Sequence, residues 1–173
     1  MQEVEQMGSE AGLQVSNGID QYLTFMLGGE EYGLNILNVQ EIKGWDGVTP
    51  IPNTPVHVLG VINLRGTVVP IIDLRKCFGL PSNEFSATTV VIVVKAKNED
   101  HERVVGVVVD AVSEVYNIPK QSVEPPPSVG TVISIEYIKG LATVEGKMAI
   151  LLNIERMVED EVGTDNFDDP VKY

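Results

Sequence analysis

GVINLRGTVVPIIDL, residues 60–74, and GLATVEGKMAILLNI, residues 140–154, lie one over the other without a gap. Gly60 meets Gly140, Gly66 meets Gly146, and the apolar residues at 61, 64, 68, 71, 72 and 74 all meet apolar residues. Asp73 meets Asn153, and both are helix-capping types. A second pair lies upstream: YGLNILNVQEI (32–42) over VGVVVDAVSEV (105–115). There Gly33 falls on Gly106, Val39 on Val112, Glu41 on Glu114 and Ile42 on Val115. Two pairs in the same order indicate an internal duplication.

The repeated unit is built of strands. Runs such as YLTFML, TVVPIIDL, ATTVVIVVK, RVVGVVVDAV, GTVISIEYI and KMAILLNI are short and rich in β-branched residues, which pack well on a pleated surface. Turn chemistry separates them, at Gly28-Gly29, Asn98-Glu99-Asp100 and Glu145-Gly146. The pattern predicts a mainly β fold, a barrel or sandwich with about five strands per copy. Each copy alone is too small to be robust, so the two should share a core. Helical signals are few. Asp73 can cap a short turn that Gly79 and Pro81 stop, and Asn153 can cap a helix from Ile154 to about Val162, with Ile154, Met157 and Val158 on one face. The span 36–42 is ambiguous, because its apolar spacing is helical but its length is not.

A chain of 173 residues with 43% hydrophobic content is one domain, or two small ones with a common interior. Its net charge of −13 speaks against nucleic acid or an anionic membrane as the main partner. Residues 1–18 read as a flexible lead-in with no secretory signal, residues 19–162 as the folded part, and residues 163–173 as an acidic tail. One cysteine, Cys77, allows no internal disulfide and no cysteine-built metal cage. The apolar runs are too short to span a membrane.

No catalytic constellation stands out. His57 and His101 lack metal-ligand spacing, and the chain contains neither HExxH nor a phosphate-binding loop. A duplicated β protein could hold a carboxylate dyad, but Asp73 and Asp110 do not occupy equivalent repeat positions. A β-barrel hydrolase using Asp73 is therefore the weakest reading, and Asp73 is better explained as a helix cap. Arg65 is more informative. The second copy carries Glu145 there and keeps both flanking glycines, so the turn does not require arginine. A guanidinium at such a turn can offer its planar fork of donors to a partner. Glu41 is repeated as Glu114, which favours a structural role as much as a binding one.

In their order along the chain, LGGEEYGLNILNVQEI, TPIPNTP, GVINLRGTVVPIIDLR, TTVVIVV and RVVGVVVDAVSEV resemble the CheW-like domain family. The resemblance runs from about Gln21 to Glu159. It implies two intertwined five-stranded SH3-like β-barrels with a few short helices, one of them near the C-terminus. It also implies a cytoplasmic adaptor with neither enzymatic activity nor cofactor. Such an adaptor links the cytoplasmic tips of methyl-accepting chemotaxis receptors to the regulatory domain of the histidine kinase CheA. Together with further adaptor copies it would build arrays beneath the inner membrane. A related scaffold serving a non-flagellar receptor–kinase pathway would look the same. The family's receptor groove would fall on Val39, Ile42, Val112 and Val115. Arg65 matches a partner-contact position, as do Glu41 and Gly60, and the region from Gly60 to Val69 is the expected kinase face.

Overall fold

Strands of the two halves are exchanged. The computed structural model describes residues 18–81, 84–97, 101–126 and 135–162. In chain order the strands are β1 Ile19–Leu27, β2 Glu30–Asn35, β3 Val39–Gly44, β4 Val58–Leu64 and β5 Thr67–Asp73, then β6 Val90–Lys97, β7 Glu102–Val109, β8 Ala111–Pro119, β9 Ile138–Val144 and β10 Lys147–Leu152. Helix α1 (Leu74–Cys77) follows β5 and helix α2 (Ile154–Val162) follows β10. The lead-in before residue 18, the turn at 98–100 and the acidic tail from 163 lie outside the described residues.

One sheet has the order β8-β1-β2-β10-β9 and the other β3-β6-β7-β5-β4. Replacing each strand by its repeat mate, five positions on, turns one order into the other. Each sheet thus takes two strands from one half and three from the other. The joining contact is a parallel pair, β2 with β10 in the first sheet and β5 with β7 in the second. The outer strands of each curled sheet are drawn together by one bridge. The chain that has left β3 pairs Thr49 with Val61 on β4, and the chain that has left β8 pairs Glu124 with Leu141 on β9. The result is a pair of five-stranded, SH3-like barrels, barrel 1 around β1 and barrel 2 around β6.

Strand alternation sends side chains to two interiors at once. Tyr22, Ala149 and Leu151 fill barrel 1, while Val69, Ile71, Val91 and Val93 fill barrel 2. The opposite faces of the same strands meet between the barrels. Leu23, Phe25, Leu27, Tyr32, Leu34, Ile92, Val94, Val105 and Val107 form the largest cluster there. Phe25 stacks on Tyr32 at 5.8 Å and Tyr32 lies 5.5 Å from Phe78. Helix α2 adds Ile154, Met157 and Val158, all about 1% exposed, on the face its spacing predicts.

The repeated glycines have a steric cause. A Cβ on Gly106 would come within 2.6 Å of Ile71 Cδ1, and one on its mate Gly33 within 2.9 Å of Leu151 Cδ2, so neither barrel centre has room. Gly60 and Gly140 lie under the closing bridges. A Cβ on Gly60 would overlap the Thr49 carbonyl, and one on Gly140 would come within 2.8 Å of the Glu124 carbonyl. Both capping expectations hold. Asp73 accepts from the Arg75 N–H at 3.1 Å, and Asn153 accepts from the Arg156 N–H at 3.2 Å. The ambiguous span 36–42 divides into a single 3-10 turn, Ile36–Asn38, and then β3. Of GTVISIEYI, read as a strand, residues 130–134 lie outside the described residues, Ile135–Tyr137 form a 3-10 turn, and Ile138 begins β9. Among the described residues no helix is long and apolar enough to cross a membrane.

Gly60→Ala should destabilise the protein by about 2–4 kcal/mol, since positive-φ strain (φ 153°) and a backbone overlap combine. Gly66→Ala (φ 88°, open space around it) should lose only about 1 kcal/mol. Urea unfolding of both variants measures the difference.

Candidate docking site

Between β4 and β5 the chain turns in two residues, Arg65 (φ 51°) and Gly66 (φ 88°). Positive φ at both positions gives the hairpin whose twist matches its strands. Asn63 Oδ1 accepts the Gly66 N–H at 2.8 Å and holds the turn. Its mate uses Glu145 (φ 49°) and Gly146 (φ 80°), so the same backbone carries opposite charges in the two barrels. Arg65 Nη2 donates to Glu41 Oε1 at 2.9 Å. The arginine side chain stays 67% exposed, so its fork keeps donors facing solvent. On the other barrel, Tyr116 donates to Glu145 Oε1 at 3.3 Å. Partial burial, with Glu114, Glu145 and Glu31 nearby, pushes the Tyr116 phenol above its ordinary value.

The four apolar candidates share one setting. Val39 is paired with Val94 and Ile42 with Ile92, and on the edge of the other sheet Val112 is paired with Phe25 and Val115 with Leu23. Side chains of directly paired residues point to the same face. All four therefore face the side on which the two barrels meet. Val39 and Val112 are half-buried against the shared core, and Ile42 (43% exposed) and Val115 (47%) lie further out on the same strand faces. A three-residue spacing on one face of a strand needs an extra residue. Register shifts supply it in both copies, between Val39 and Glu41 and opposite Leu23 to Phe25. Buried Thr24 holds the second bulge, donating to the Glu114 carbonyl at 2.9 Å and accepting the Glu114 N–H at 3.2 Å.

The structure brings Arg65 and Glu41 together as an ion pair. It sets Val39 and Val112 against one core, and it accounts for Gly60 by the Thr49 contact. Asp73 and Asp110 form no dyad. The Asp73 carboxylate caps α1, and Asp110 is taken in a two-toothed grip by Arg75, Nε to Oδ1 at 3.0 Å and Nη2 to Oδ2 at 2.8 Å.

Residues 21–162 match the CheW-like domain family. The chain belongs to that family. It is 45% identical over 141 residues to the chemotaxis protein CheW of Klebsiella aerogenes, covering 82% of each protein. To the CheW of Rhizobium meliloti it is 35% identical over 153 residues, covering 88% of this chain and 96% of the relative. Among solved structures it is similar to the scaffolding protein TtCheW of Thermoanaerobacter tengcongensis. There the TM-score is 0.73 and the identity 37%, over 81% of this chain and 88% of that one.

Sequence reasoning missed the Arg75–Asp110 junction. Asp110 Oδ2 also accepts the Gly28 N–H at 2.9 Å, and Arg75 Nη1 donates to the Pro81 carbonyl at 2.8 Å. The junction ties the β1–β2 turn of barrel 1 to α1, at the point where the chain passes from β7 to β8. Nothing local marks it, because Arg75 and Asp110 are 35 residues apart. Partial burial works against the Asp110 carboxylate, but the Arg75 fork and the Gly28 N–H outweigh it and hold the group below its ordinary value.

A depressed folded-state value means that this carboxylate stabilises the fold above an unfolded value of about 3.9. The contribution is lost as pH falls through the lower, folded value. Asp110→Asn should therefore destabilise by about 1 kcal/mol at pH 7, after screening at a partly exposed site. The gap to wild type should narrow steadily as pH falls below about 4 in thermal melts run from neutral to acid pH.

Proposed function

We propose that the chain is a non-enzymatic chemotaxis adaptor that couples methyl-accepting receptors to the histidine kinase CheA. One observation carries the reading. The Arg65 hairpin is at the end of barrel 2, and the apolar strip of Val39, Ile42, Val112 and Val115 is on the inter-barrel side, so two partners need not compete. The names of the relatives, chemotaxis protein CheW and a scaffolding protein, support the same reading.

In this reading the strip takes the apolar face of a receptor's helical tip, which is a helix-in-groove mode of recognition. Arg65, held out by its pairing with Glu41, meets the kinase's regulatory domain, and Gly60 acts indirectly by fixing the hairpin's base. Further adaptor copies and kinase domains extend the assembly into arrays at the inner membrane, in the cytoplasm. Each contact can be weak, on the order of micromolar, because tethering many contacts raises their effective concentration. Signal passes by contact alone, and none of these roles needs a reacting group.

Arg65→Glu should keep the fold, because Glu145 already occupies the same turn with nearly the same φ. It should reduce co-sedimentation of CheA with receptor-containing membranes about tenfold. Val115→Asp should instead reduce the chain's own sedimentation with those membranes. If both variants assemble like wild type, the site assignment is wrong.

A further inference from the structure

The chain crosses from one barrel to the other twice, and a side chain fastens each crossover. From β2 to β3 it passes through the 3-10 turn Ile36–Asn38, and from β7 to β8 through Asp110. Asn38 Nδ2 donates to Glu155 Oε2 of α2 at 2.9 Å and to the Lys95 carbonyl of β6 at 3.1 Å. Asp110 binds Arg75 of α1 through both carboxylate oxygens, and its N–H donates to the Met26 carbonyl of β1 at 3.1 Å. Glu155 and Arg75 are repeat mates, each two positions after its helix cap. The strand registers make Lys95 and Met26 mates as well. The two clasps therefore occupy one place in the duplicated frame and are built from different chemistry.

Each clasp sits at the root of an edge strand. β3 and β8 end their sheets, so each is paired along one side only. Val39 follows Asn38 directly, and Val112 lies two residues after Asp110. The hold on the two strands is unequal. Besides the charged fork of Arg75, Asp110 accepts the Gly28 N–H at 2.9 Å, and Thr88 Oγ1 donates to its carbonyl at 2.9 Å. Further along β8, Thr24 binds both the N–H and the carbonyl of Glu114. β8 runs for nine residues, whereas β3 runs for six and its root is held by one neutral amide. A charged, two-toothed fork fixes geometry more firmly than a single neutral donor. Glu41 of β3 does pair with Arg65, but that arginine is largely exposed on a hairpin tip and anchors the strand weakly.

We infer that β3 is a yielding edge and β8 a fixed one, with Asn38 as the latch that holds β3 to α2. The catch itself does not move. Ile154, Met157 and Val158 anchor α2 in the core, so Glu155 offers its oxygen from a fixed place. Opening the latch frees the root of β3 while the shared core stays packed, because Val39 is only partly buried against it. In the adaptor reading, the part of the apolar strip on β3 then adjusts to a docking helix and the part on β8 does not. That consequence rests on the adaptor reading, whereas the unequal hold does not.

Amide hydrogen exchange of the full chain at neutral pH reads the difference. Protected amides of β3 should exchange about tenfold faster than those of β8. Asn38→Ala and Glu155→Ala should each speed β3 about fivefold further and leave β8 and β10 unchanged. Glu155→Gln, which keeps an acceptor oxygen, should exchange as wild type does. Asp110→Asn should speed β8 and not β3. A general loss of stability would instead speed all the strands together. If β3 and β8 of wild type exchange alike, or if Asn38→Ala leaves β3 unchanged, there is no latch. Receptor-containing membranes added to wild type should slow β3 more than β8. If they bind the chain and slow both strands equally, the adjusting role of β3 falls and the unequal hold stands. If they do not bind the chain, the adaptor reading falls instead.

Discussion

The structure depends on an apolar face that neither half of the chain can cover by itself. Strands β1, β6 and β7 carry buried apolar residues on both sides, one side filling its own barrel and the other meeting the opposite barrel. Left alone, such strands would expose a large apolar sheet to water, at roughly 25 cal/mol per Å². Exchange of strands answers the problem twice. It closes each barrel with strands from the other half, and it lays the remaining faces against each other around Phe25, Tyr32 and Ile92. The parallel joints, β2 with β10 and β5 with β7, follow from the exchange, because the strands they join come from different halves. The halves therefore fold as one unit, and the Arg75–Asp110 grip fastens their junction from outside.

A duplicated frame separates what the fold requires from what only one copy carries. Gly33 and Gly106 leave space in the barrel centres, and Gly60 and Gly140 pass beneath the closing bridges. Asp73 and Asn153 cap the helix that follows. Those positions are occupied alike in both copies, and steric or hydrogen-bonding needs explain them without any partner. Arg65 and Glu145 occupy one backbone conformation with opposite charge, so no folding requirement decides between them. Where mates diverge on the surface, selection by something outside the chain is the simpler account.

Much of this was readable from residues alone, for reasons that are local. The two copies, the capped helix with Ile154, Met157 and Val158 inward, and the spare arginine all follow from spacing and side-chain chemistry over a few positions. The span 36–42 is ambiguous for an equally local reason. A bulge shifts a strand's alternation by one and makes it resemble a helix turn until the pairing strand is known. The junction of Arg75, Asp110 and Gly28 is made by residues far apart in sequence. Arg65 meets Glu41 across 24 residues and shares a cleft with Lys95 and Glu102. Only the exchanged topology brings them together.

The same topology explains how one small protein acquires two unlike surfaces. Pseudo-symmetry would give the barrels matching ends, with like charge on each, and a homogeneous surface of that kind favours self-association without direction. Here a paired Glu41 and Arg65 at one end faces Glu114, Tyr116 and Glu145 at the other. Charge at a rim governs which partner approaches and in what orientation more than how tightly it holds. An arginine-bearing end and an acidic end on one rigid frame therefore set a direction. Divergence at a few turn positions, on a backbone that the shared core holds fixed, is enough to give a symmetric duplication two unlike ends.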